Sequence, residues 1–433
     1  MPLELDSALV GFEAAFAAFL AKKRELDADV DAVVAKIIDD VRKRGDAALI
    51  ELTKRFDRLD LTPATMRIPA KEISASAKSC PPAALDALRL AHHRIEAYHR
   101  KQIPADFDFT DTAGVRLGAR WRPLASVGIY VPGGTASYPS SALMNAVPAK
   151  VAGVARIVMA VPAPDGALNP LVLAAAEIAG VSEIYRVGGA QAIAALAYGT
   201  KTIAPVDKIT GPGNAYVAAA KRRVFGTVGI DMIAGPSEIL VVADGANDPD
   251  WIAADLLSQA EHDTAAQAIL VTNDKAFAGR VRAAVERQLA TLPRGAIARE
   301  SWQQHGAIIL VRDFDTALPL IDRIAAEHVE LAVEQPAALA ARIAHAGAIF
   351  LGRHTPEAVG DYVAGPNHVL PTARSARFSS GLGVLDFMKR TSLLSCNAAS
   401  LRAIGPAAIA LAEAEGLDAH ARSIAIRLNL GDG

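Results

Sequence analysis

The chain has 433 residues, 52% hydrophobic and 21% charged, which is enough for about three domains with large buried cores. A formal net charge of −2 gives no electrostatic reason to expect nucleic acid or an anionic membrane as a partner. No apolar run reaches the ~18 residues of a membrane span. The acidic N-terminus is unlike a signal peptide, and the two cysteines cannot form a disulfide framework, so we expect a cytoplasmic protein.

Residues 1–105 are predicted to be mainly helical, for example over 29–55 and 81–100, because apolar residues recur there at spacings of three and four. From residue 125 onward, short apolar strands alternate with Ala-rich helices. The predicted strands cover 125–131, 156–162, 183–187 and 207–210, and then 238–243, 268–272, 307–311 and 348–351. This alternation favours parallel sheets covered by helices on both faces, arranged as two similar α/β units.

Simple catalytic motifs are absent, and the dinucleotide fingerprint Gly-x-Gly-x-x-Gly fails at its sixth position in the turn at 211–216. Gly-rich turns follow predicted strands at 133–134, 188–189 and 211–213. Each turn precedes a helix, whose free amide groups favour an anion such as pyrophosphate. Ordinary strand-to-helix turns have the same pattern, so both interpretations stay open.

Two pairs of residues carry groups suited to chemistry. Gln259 and His262 project from one face of the last turn of a helix predicted over 249–262, and both types of side chain bind zinc. Glu327 and His328 are predicted to end the helix at 315–326, where a direct Glu–His contact is not expected because adjacent residues point in different directions. Taken alone, the first pair is better explained by a helix-terminal histidine and the second by solvated side chains. His368, in a loop rich in Pro and Gly, fits either a structural role or a site.

Eight ordered segments together resemble the histidinol dehydrogenase family along nearly the whole chain. They are Val127–Ser141, Val187–Ile193, Ile209–Tyr216, Ala234–Glu238, Asp255–His262, Ala326–Leu331, Gly360–Pro371 and Glu413–His420. Eight matches in this order make a chance similarity very improbable. The resemblance implies NAD-dependent oxidation of L-histidinol through L-histidinal to L-histidine, the last steps of histidine biosynthesis.

The resemblance also implies roles for individual residues. The implied zinc ligands are Gln259, His262, Asp361 and His420, with one Zn²⁺ per subunit. Glu327 and His328 resemble the catalytic acid/base pair. The implied substrate contacts are Ser237, Gln259, His262, His328, Asp361, Glu415 and His420. The implied NAD contacts are Tyr130, Gln191 and Asn214. No position of these sets departs from the family pattern.

The fold class that follows is α/β, with two incomplete, doubly wound Rossmann-like units and helical extensions at both ends. Residues 1–124 form the N-terminal helical region, part of which is expected to pack with the second unit. Residues 125–235 form the NAD-binding unit, and residues 236–375 carry the metal and acid/base residues. The resemblance implies an intertwined homodimer with shared active sites, in which the tail at 376–433 enters the partner's site.

Oxidation of an alcohol to a carboxylate removes two hydrides and passes through an aldehyde, which must be hydrated before the second transfer. Because no cysteine lies near any motif, a covalent thiohemiacetal is not expected, and His328 and Glu327 must supply base and water activation. One alternative is a paralogous dehydrogenase of another polar alcohol, such as a sulfonated diol. Glu415 argues against it, because a carboxylate suits a cationic substrate. The other alternative is a nucleotide-binding protein without catalysis, whose histidines are structural.

Overall fold

The computed structural model describes residues 1–22, 28–133, 138–233 and 235–429. Gly134, at the end of one Gly-rich turn, and Ala234, at the start of one family segment, lie outside the described residues. The strands are β1 Leu3–Asp6, β2 Phe107–Thr110, β3 Arg116–Pro123, β4 Ser126–Tyr130, β5 Arg156–Ala160, β6 Glu183–Tyr185, β7 Lys208–Thr210, β8 Gly229–Ile230, β9 Glu238–Ala243, β10 Gln267–Thr272, β11 Ala307–Leu310, β12 His328–Ala332, β13 Ala348–Leu351 and β14 Met388–Ser395.

The α-helices account for most of the remaining chain. They are α1 Phe12–Ala21, α2 Ala28–Arg44, α3 Asp46–Asp57, α4 Pro63–Met66, α5 Ala70–Ser79, α6 Pro82–Arg100, α7 Pro139–Ala152, α8 Pro170–Ile178, α9 Gly189–Tyr198, α10 Ala215–Val224, α11 Pro249–Ala260, α12 Lys275–Leu289, α13 Gly295–His305, α14 Phe314–Ile324, α15 Pro336–Ala340, α16 Glu357–Tyr362, α17 Ala398–Ala414 and α18 Asp418–Ala425. None of the described helices is long and apolar enough to cross a membrane.

Two parallel sheets form the centre of the fold. The first has five strands in the order β6-β5-β4-β7-β8, and the second has six in the order β1-β11-β10-β9-β12-β13. Alternate side chains of β4 enter two separate apolar cores, Ile129 on one face and Tyr130 on the other. The second sheet is covered in the same way, with Val242 and Val241 of β9 on opposite faces. The predicted α/β fold with parallel sheets is therefore confirmed.

The N-terminal region contains strands as well as the predicted helices. β1 pairs in parallel with β11, and Phe12, Phe16 and Phe19 of α1 enter the core of the second sheet. The predicted helix over 29–55 is broken at Gly45, where φ is +57°, into α2 and α3, which pack against the first sheet. The description of residues 1–124 as helical is thus wrong for β1, β2 and β3. β1 and β2 are edge strands of four residues, too short to show a periodicity of their own, while β3 is defined by its pairing with β2 and the distant β14.

The chain past α14 differs from the sequence-based prediction in a way that matters for function. α14 ends at Ile324, and Ala325 takes a left-handed conformation with φ of +48°. The next segment is strand β12, which begins at His328 and pairs with β9 and β13. The prediction that Glu327 and His328 end a helix is therefore wrong. A central strand is buried on both faces, so its short apolar run has no alternation to distinguish it from helix.

A third sheet, antiparallel in the order β14-β3-β2, joins the C-terminal tail to the start of the first unit. Strand β14 pairs with β3 along its whole length. Beyond it, α17 and α18 pack mainly against each other. Large apolar residues stay exposed in this tail, including Leu394 of β14 and Leu411 of α17, which are 71% and 65% exposed. The tail predicted as polar and then helical therefore also contains a strand.

A buried ion pair holds the turn that follows β7. Lys221 of α10 and Asp231 after β8 are paired, with 3% and 1% of their side chains exposed. The Lys221 Nζ donates to the carbonyl of Gly211 at 2.9 Å, while the amide of Gly211 donates to Asp231 Oδ2 at 2.8 Å. Gly211 has φ of +110°, and a Cβ there would lie 2.2 Å from the carbonyl oxygen of Tyr130, so only glycine fits.

We expect Lys221→Met to lower the free energy of unfolding by about 3–5 kcal/mol, because it leaves the Asp231 carboxylate buried without its counter-ion. Chemical denaturation followed by circular dichroism measures the change. Lys43→Met is the matched control: Lys43 pairs with Asp39 on the surface, with side chains 70% and 57% exposed, and should cost less than about 1 kcal/mol. Equal effects of the two substitutions would show that burial of the pair does not stabilise the turn.

Candidate active site

Most of the chemistry-bearing residues meet at one edge of the second sheet, where β9 and β12 begin. Glu327 precedes β12 and His328 is its first residue, while Glu238 is the first residue of the neighbouring β9. Helix α11 connects β9 to the parallel strand β10 and so runs against them. Gln259 in its last turn, and His262 just beyond its end, therefore lie at the same edge.

The backbone of Glu238 orients both members of the predicted acid/base pair. Its amide donates to Glu327 Oε2 at 3.0 Å, and its carbonyl oxygen lies 3.0 Å from His328 Nδ1. Because a carbonyl only accepts, Nδ1 carries the proton and donates it there. The tautomer leaves Nε2 of His328 as the basic nitrogen. Glu327 Oε2 lies 3.9 Å from His328 Nδ1, so the two side chains are neighbours although they are consecutive in the chain.

Burial sets the charge of this pair in the protein alone. Both residues are buried, 5% exposed for Glu327 and 4% for His328. Burial, assisted by nearby His262 and His368, lowers the pKa of His328 to about 3, so its imidazole is neutral near pH 7. Burial also raises the pKa of Glu327 well above its ordinary value, and the Glu238, Asp361 and Glu357 carboxylates add to this. A cation in the site would oppose this rise in the pKa of Glu327.

Three side chains form a group that can hold a metal ion. His328, Glu357 and Asp361 each place one ligand atom within 4.8 Å of the others. Nε2 of His328 lies 3.7 Å from Glu357 Oε1 and 3.9 Å from Asp361 Oδ1. Burial and the adjacent Asp361 raise the pKa of Glu357 to about 8, and burial raises that of Asp361 to about 6.

The surroundings of this group fit a zinc ion. Among the described residues, Gln259 Oε1, His328 Nε2 and Glu357 Oε1 are buried without a hydrogen-bond partner. Each such atom costs about 1–3 kcal/mol unless a partner arrives. His262 Nδ1 donates to the carbonyl of Ser258 at 2.9 Å, which leaves its Nε2 as a possible ligand. Imidazole nitrogens, a carboxylate and an amide oxygen are a donor set that zinc accepts.

Two further residues belong to the site although sequence reasoning did not assign them to it. Glu357 precedes Asp361 by one helical turn on α16, and its Oε2 accepts a 3.3 Å hydrogen bond from Ser258 Oγ. His368 donates from Nδ1 to the carbonyl of Asp361 at 2.9 Å. The spacing of Glu357 and Asp361 by four residues was the one available signal for Glu357. His368 had no local signal beyond its loop.

A pair of carboxyl groups lies behind the site. Glu330, two residues along β12, is buried and shares a hydrogen bond with Asp255 of α11. Burial and the Asp255 charge raise the pKa of Glu330 to about 9, while burial raises that of Asp255 to about 6. Glu330 therefore stays protonated near neutral pH and donates to Asp255. This arrangement limits the negative charge that accumulates beside Glu357 and Asp361.

The predicted NAD contacts lie at the carboxyl edge of the first sheet, where its strands end. The metal-capable group, by contrast, lies at the amino edge of the second sheet. Tyr130 is the last residue of β4, Gln191 lies in the first turn of α9, and Asn214 is the N-cap of α10. The Tyr130 hydroxyl accepts from the amide of Gly189 at 3.0 Å. The side chain of Asn214 accepts from two amides of the first turn of α10, so part of the free donor capacity there is already used.

One loop connects this edge to the metal-capable group. His368 Nε2 lies 3.5 Å from Ser141 Oγ in the first turn of α7, the helix that follows β4. Asn367 Nδ2 donates to the carbonyl of Met144 in the same helix at 2.6 Å. The carboxyl edge of the first sheet and the amino edge of the second are thus adjacent. A dinucleotide on one side and a metal-held substrate on the other can meet there.

The structure brings together most of the predicted site residues but not all. Ser237 directly precedes Glu238 at the edge, and is partly buried. Glu415 ends α17 and His420 lies in α18, and both side chains are exposed. Among the described residues of this single chain, the metal-capable group includes neither His262 nor His420. The tail therefore does not complete the site of its own chain in this structure.

Comparisons with known proteins agree with this architecture. A family model described as histidinol dehydrogenase matches residues 20–428. The histidinol dehydrogenases of Bradyrhizobium diazoefficiens and Rhizobium meliloti are each 66% identical to this chain, over 99% and 100% of it and 100% of their own lengths. The crystal structure of histidinol dehydrogenase from Elizabethkingia anophelis has a TM-score of 0.94 at 36% identity, covering 99% of this chain and 98% of that one. The chain belongs to the histidinol dehydrogenase family.

Proposed function

We propose that the chain catalyses the NAD-dependent, four-electron oxidation of L-histidinol through L-histidinal to L-histidine, the last steps of histidine biosynthesis, in the cytoplasm. The family is NAD-dependent and zinc-binding. The observation that supports the proposal best is the buried, neutral His328, whose unpartnered Nε2 faces the carboxylates of Glu357 and Asp361. A sulfonated diol would meet these carboxylates unfavourably, and the two 66% identical relatives, both histidinol dehydrogenases, do not favour that alternative.

Gln259, His262 and Asp361 are the residues of this chain that would hold the zinc ion, with Glu357 within reach of it. Asp361 and Glu357 belong to the metal-capable group with His328, while Gln259 and His262 are neighbours of each other, with 3.4 Å between Gln259 Nε2 and His262 Nδ1. The ion would supply a positive charge that orients the imidazole and amine of the substrate and keeps the surrounding carboxylates ionised. Ser237 and His328 would contact the substrate from β9 and β12. This part of the proposal rests on the unpartnered buried oxygens and nitrogen at the edge.

His328 serves as the base for the alcohol proton, because its neutral Nε2 is free to accept it and Nδ1 is held by Glu238. Glu327 activates the water that hydrates the aldehyde, since a carboxylate oriented through one oxygen keeps the other for that water. His328 returns its proton to the aldehyde oxygen as water adds, and is then neutral again to take a proton from the gem-diol in the second half-reaction. NAD, held by Tyr130, Gln191 and Asn214 at the adjacent edge, would supply the hydride acceptor in both halves.

Each chain is proposed to contain two incomplete, doubly wound Rossmann-like units, 125–235 and 236–375. Two such chains are proposed to form an intertwined homodimer. The residues at 1–124 contribute to both units, and the tail at 376–433 reaches the partner's site with Glu415 and His420. Two observations support this: the tail leaves apolar residues such as Leu394 and Leu411 exposed, and Glu415 and His420 are themselves exposed in their own chain.

A coupled assay tests the activity itself. We expect ~2 NADH for each L-histidinol consumed, because two hydrides leave the substrate. Removal of zinc by a chelator should abolish the reaction, and zinc should restore it. A ratio near one, with the aldehyde as final product, would contradict the four-electron reaction. Turnover that survives complete metal removal would contradict the proposed zinc site.

We expect His262→Asn to lose most of its zinc and more than ~100-fold in kcat, because even residues that only support a ligand often cost ~10–100-fold. Zinc content is measured by elemental analysis beside the activity. His93→Asn, an exposed residue of α6, is the control and should keep both. A His262→Asn enzyme that remains active without bound metal would exclude His262 as a ligand.

Mixing His262→Asn and His420→Asn chains tests whether active sites are shared. If His420 enters the partner's site, a mixed dimer has one site with both defects and one intact site. Random reassortment then recovers ~25% of wild-type activity from two inactive parents. Tagged purification verifies that mixed dimers have formed. No recovery in verified mixed dimers would place His420 in the site of its own chain.

The two half-reactions separate Glu327 from His328. Glu327→Gln keeps size and hydrogen bonding but removes the base, so we expect it to slow oxidation of histidinal by ~10²–10⁴-fold while affecting oxidation of histidinol much less. His328→Asn should slow both. Single-turnover measurements started from each substrate give the two rates. Equal losses in both half-reactions of Glu327→Gln would exclude a role limited to water activation.

A further inference from the structure

The first sheet lacks an acidic side chain where a dinucleotide-binding unit usually has one. In such units a carboxylate at the end of the second strand binds the hydroxyls of the adenosine ribose. Here the first strand is β4 and the second is β5, which is followed by the segment 161–164, Val-Pro-Ala-Pro. No residue of that segment can accept a ribose hydroxyl through its side chain.

Another element delivers a carboxylate to this place. Asp57 is the last residue of α3, and the backbone amide of Ala163, just beyond β5, donates a hydrogen bond to it. The side chain is only 8% exposed, and its Oδ2 has no partner among the described residues. A buried acceptor without a donor costs about 1–3 kcal/mol, which an arriving hydroxyl would recover.

Asp57 is also close to the end of β4, where the dinucleotide is proposed to bind. Burial, and then the charge of Asp57, raise the pKa of Tyr130 to about 12. The Tyr130 hydroxyl in turn accepts from Gly189 in the turn after β6. The Asp57 carboxylate therefore lies among the ends of β4, β5 and β6, on the side of the sheet that holds the adenosine half of a dinucleotide.

Arg58, the cationic residue that follows Asp57 in the chain, is already paired with another carboxylate. Arg58 leaves the helix with φ of +55°, and its guanidinium forms two hydrogen bonds to Asp165, one of them 2.7 Å from Nε to Oδ1. Asp165 lies in the turn at 164–166 that follows β5. A 2′-phosphate at this position would meet the Asp57 carboxylate and an arginine whose charge is already neutralised.

We propose that Asp57 binds the adenosine ribose hydroxyls of NAD, and that Asp57 together with the Arg58–Asp165 pair makes the enzyme select NAD over NADP. The inference rests on the proposed binding of NAD at this edge. Asp57 acts through attraction for hydroxyl donors and through repulsion of a phosphate dianion. Asp165 contributes by occupying the guanidinium that would otherwise bind the phosphate.

Calorimetry on the zinc-loaded enzyme tests binding without relying on turnover, with ADP-ribose and 2′-phospho-ADP-ribose as probes. We expect Asp57→Asn to weaken ADP-ribose binding by roughly 10- to 100-fold, because a hydrogen bond to a charged acceptor is lost. Steady-state kinetics should show the same rise in KM for NAD, with the KM for histidinol unchanged. Asp60→Asn, an exposed carboxylate three residues further on that pairs with Lys54, is the matched control and should change neither constant.

Asp165→Asn gives a second test, which does not depend on the buried Asp57 carboxylate. Releasing Arg58 should strengthen binding of 2′-phospho-ADP-ribose by roughly 10-fold, and the double variant with Asp57→Ser should strengthen it further. Unchanged binding of both probes in folded Asp57→Asn would overturn the proposal, as would a loss shared equally by NAD and histidinol. Asn214→Ala and Gln191→Ala test the proposed NAD site as a whole. If neither substitution weakens NAD binding, the proposed NAD site is wrong. If they weaken it and Asp57→Asn does not, only the role of Asp57 is wrong.

Discussion

The pairing of β12 with β9 is the constraint on which the site depends. In this parallel register His328 lies opposite Ile239, so the backbone of Glu238 is adjacent to both Glu327 and His328. The carbonyl of Glu238 accepts from the His328 imidazole, and the amide of Glu238 donates to the Glu327 carboxylate. A shift of one residue would turn each side chain to the other face of the sheet. The proposed acid/base pair is therefore positioned by strand register, which main-chain hydrogen bonds and two apolar cores maintain.

The second physical feature is the concentration of buried carboxyl groups around that pair. Glu327, Glu357 and Asp361 lie close together with little solvent, and each has a raised pKa because burial disfavours its charge. Such a group is costly in the protein alone, yet it provides the ligands and the electrostatic potential that attract a divalent cation. The stability given up here for a binding site is recovered when the cation arrives, since binding to the folded state alone stabilises it.

The two sheets contribute opposite edges. The carboxyl ends of the first sheet hold the Gly-rich turns, where backbone can approach a phosphate, and Lys221 and Asp231 keep one of those turns rigid. The amino ends of the second sheet hold the proposed acid/base pair and the metal-capable side chains. His368, between Asp361 and Ser141, joins the two edges. A reaction between a cofactor and a substrate that bind separately requires this adjacency.

The sequence by itself determined the α/β class and the two series of strands, because apolar periodicity is local, and it proposed most of the candidate site residues, because the family segments are long. The turn that makes Glu327 and His328 begin a strand was not predictable, since the left-handed Ala325 and the pairing of β12 depend on partners 90 residues away. Glu357, His368 and Asp57 were also decided only by tertiary structure. Their local surroundings are ordinary, and it is burial beside a distant element, for example Asp57 beside Ala163, that removes water from these groups and leaves them with unmet hydrogen bonds or shifted charge.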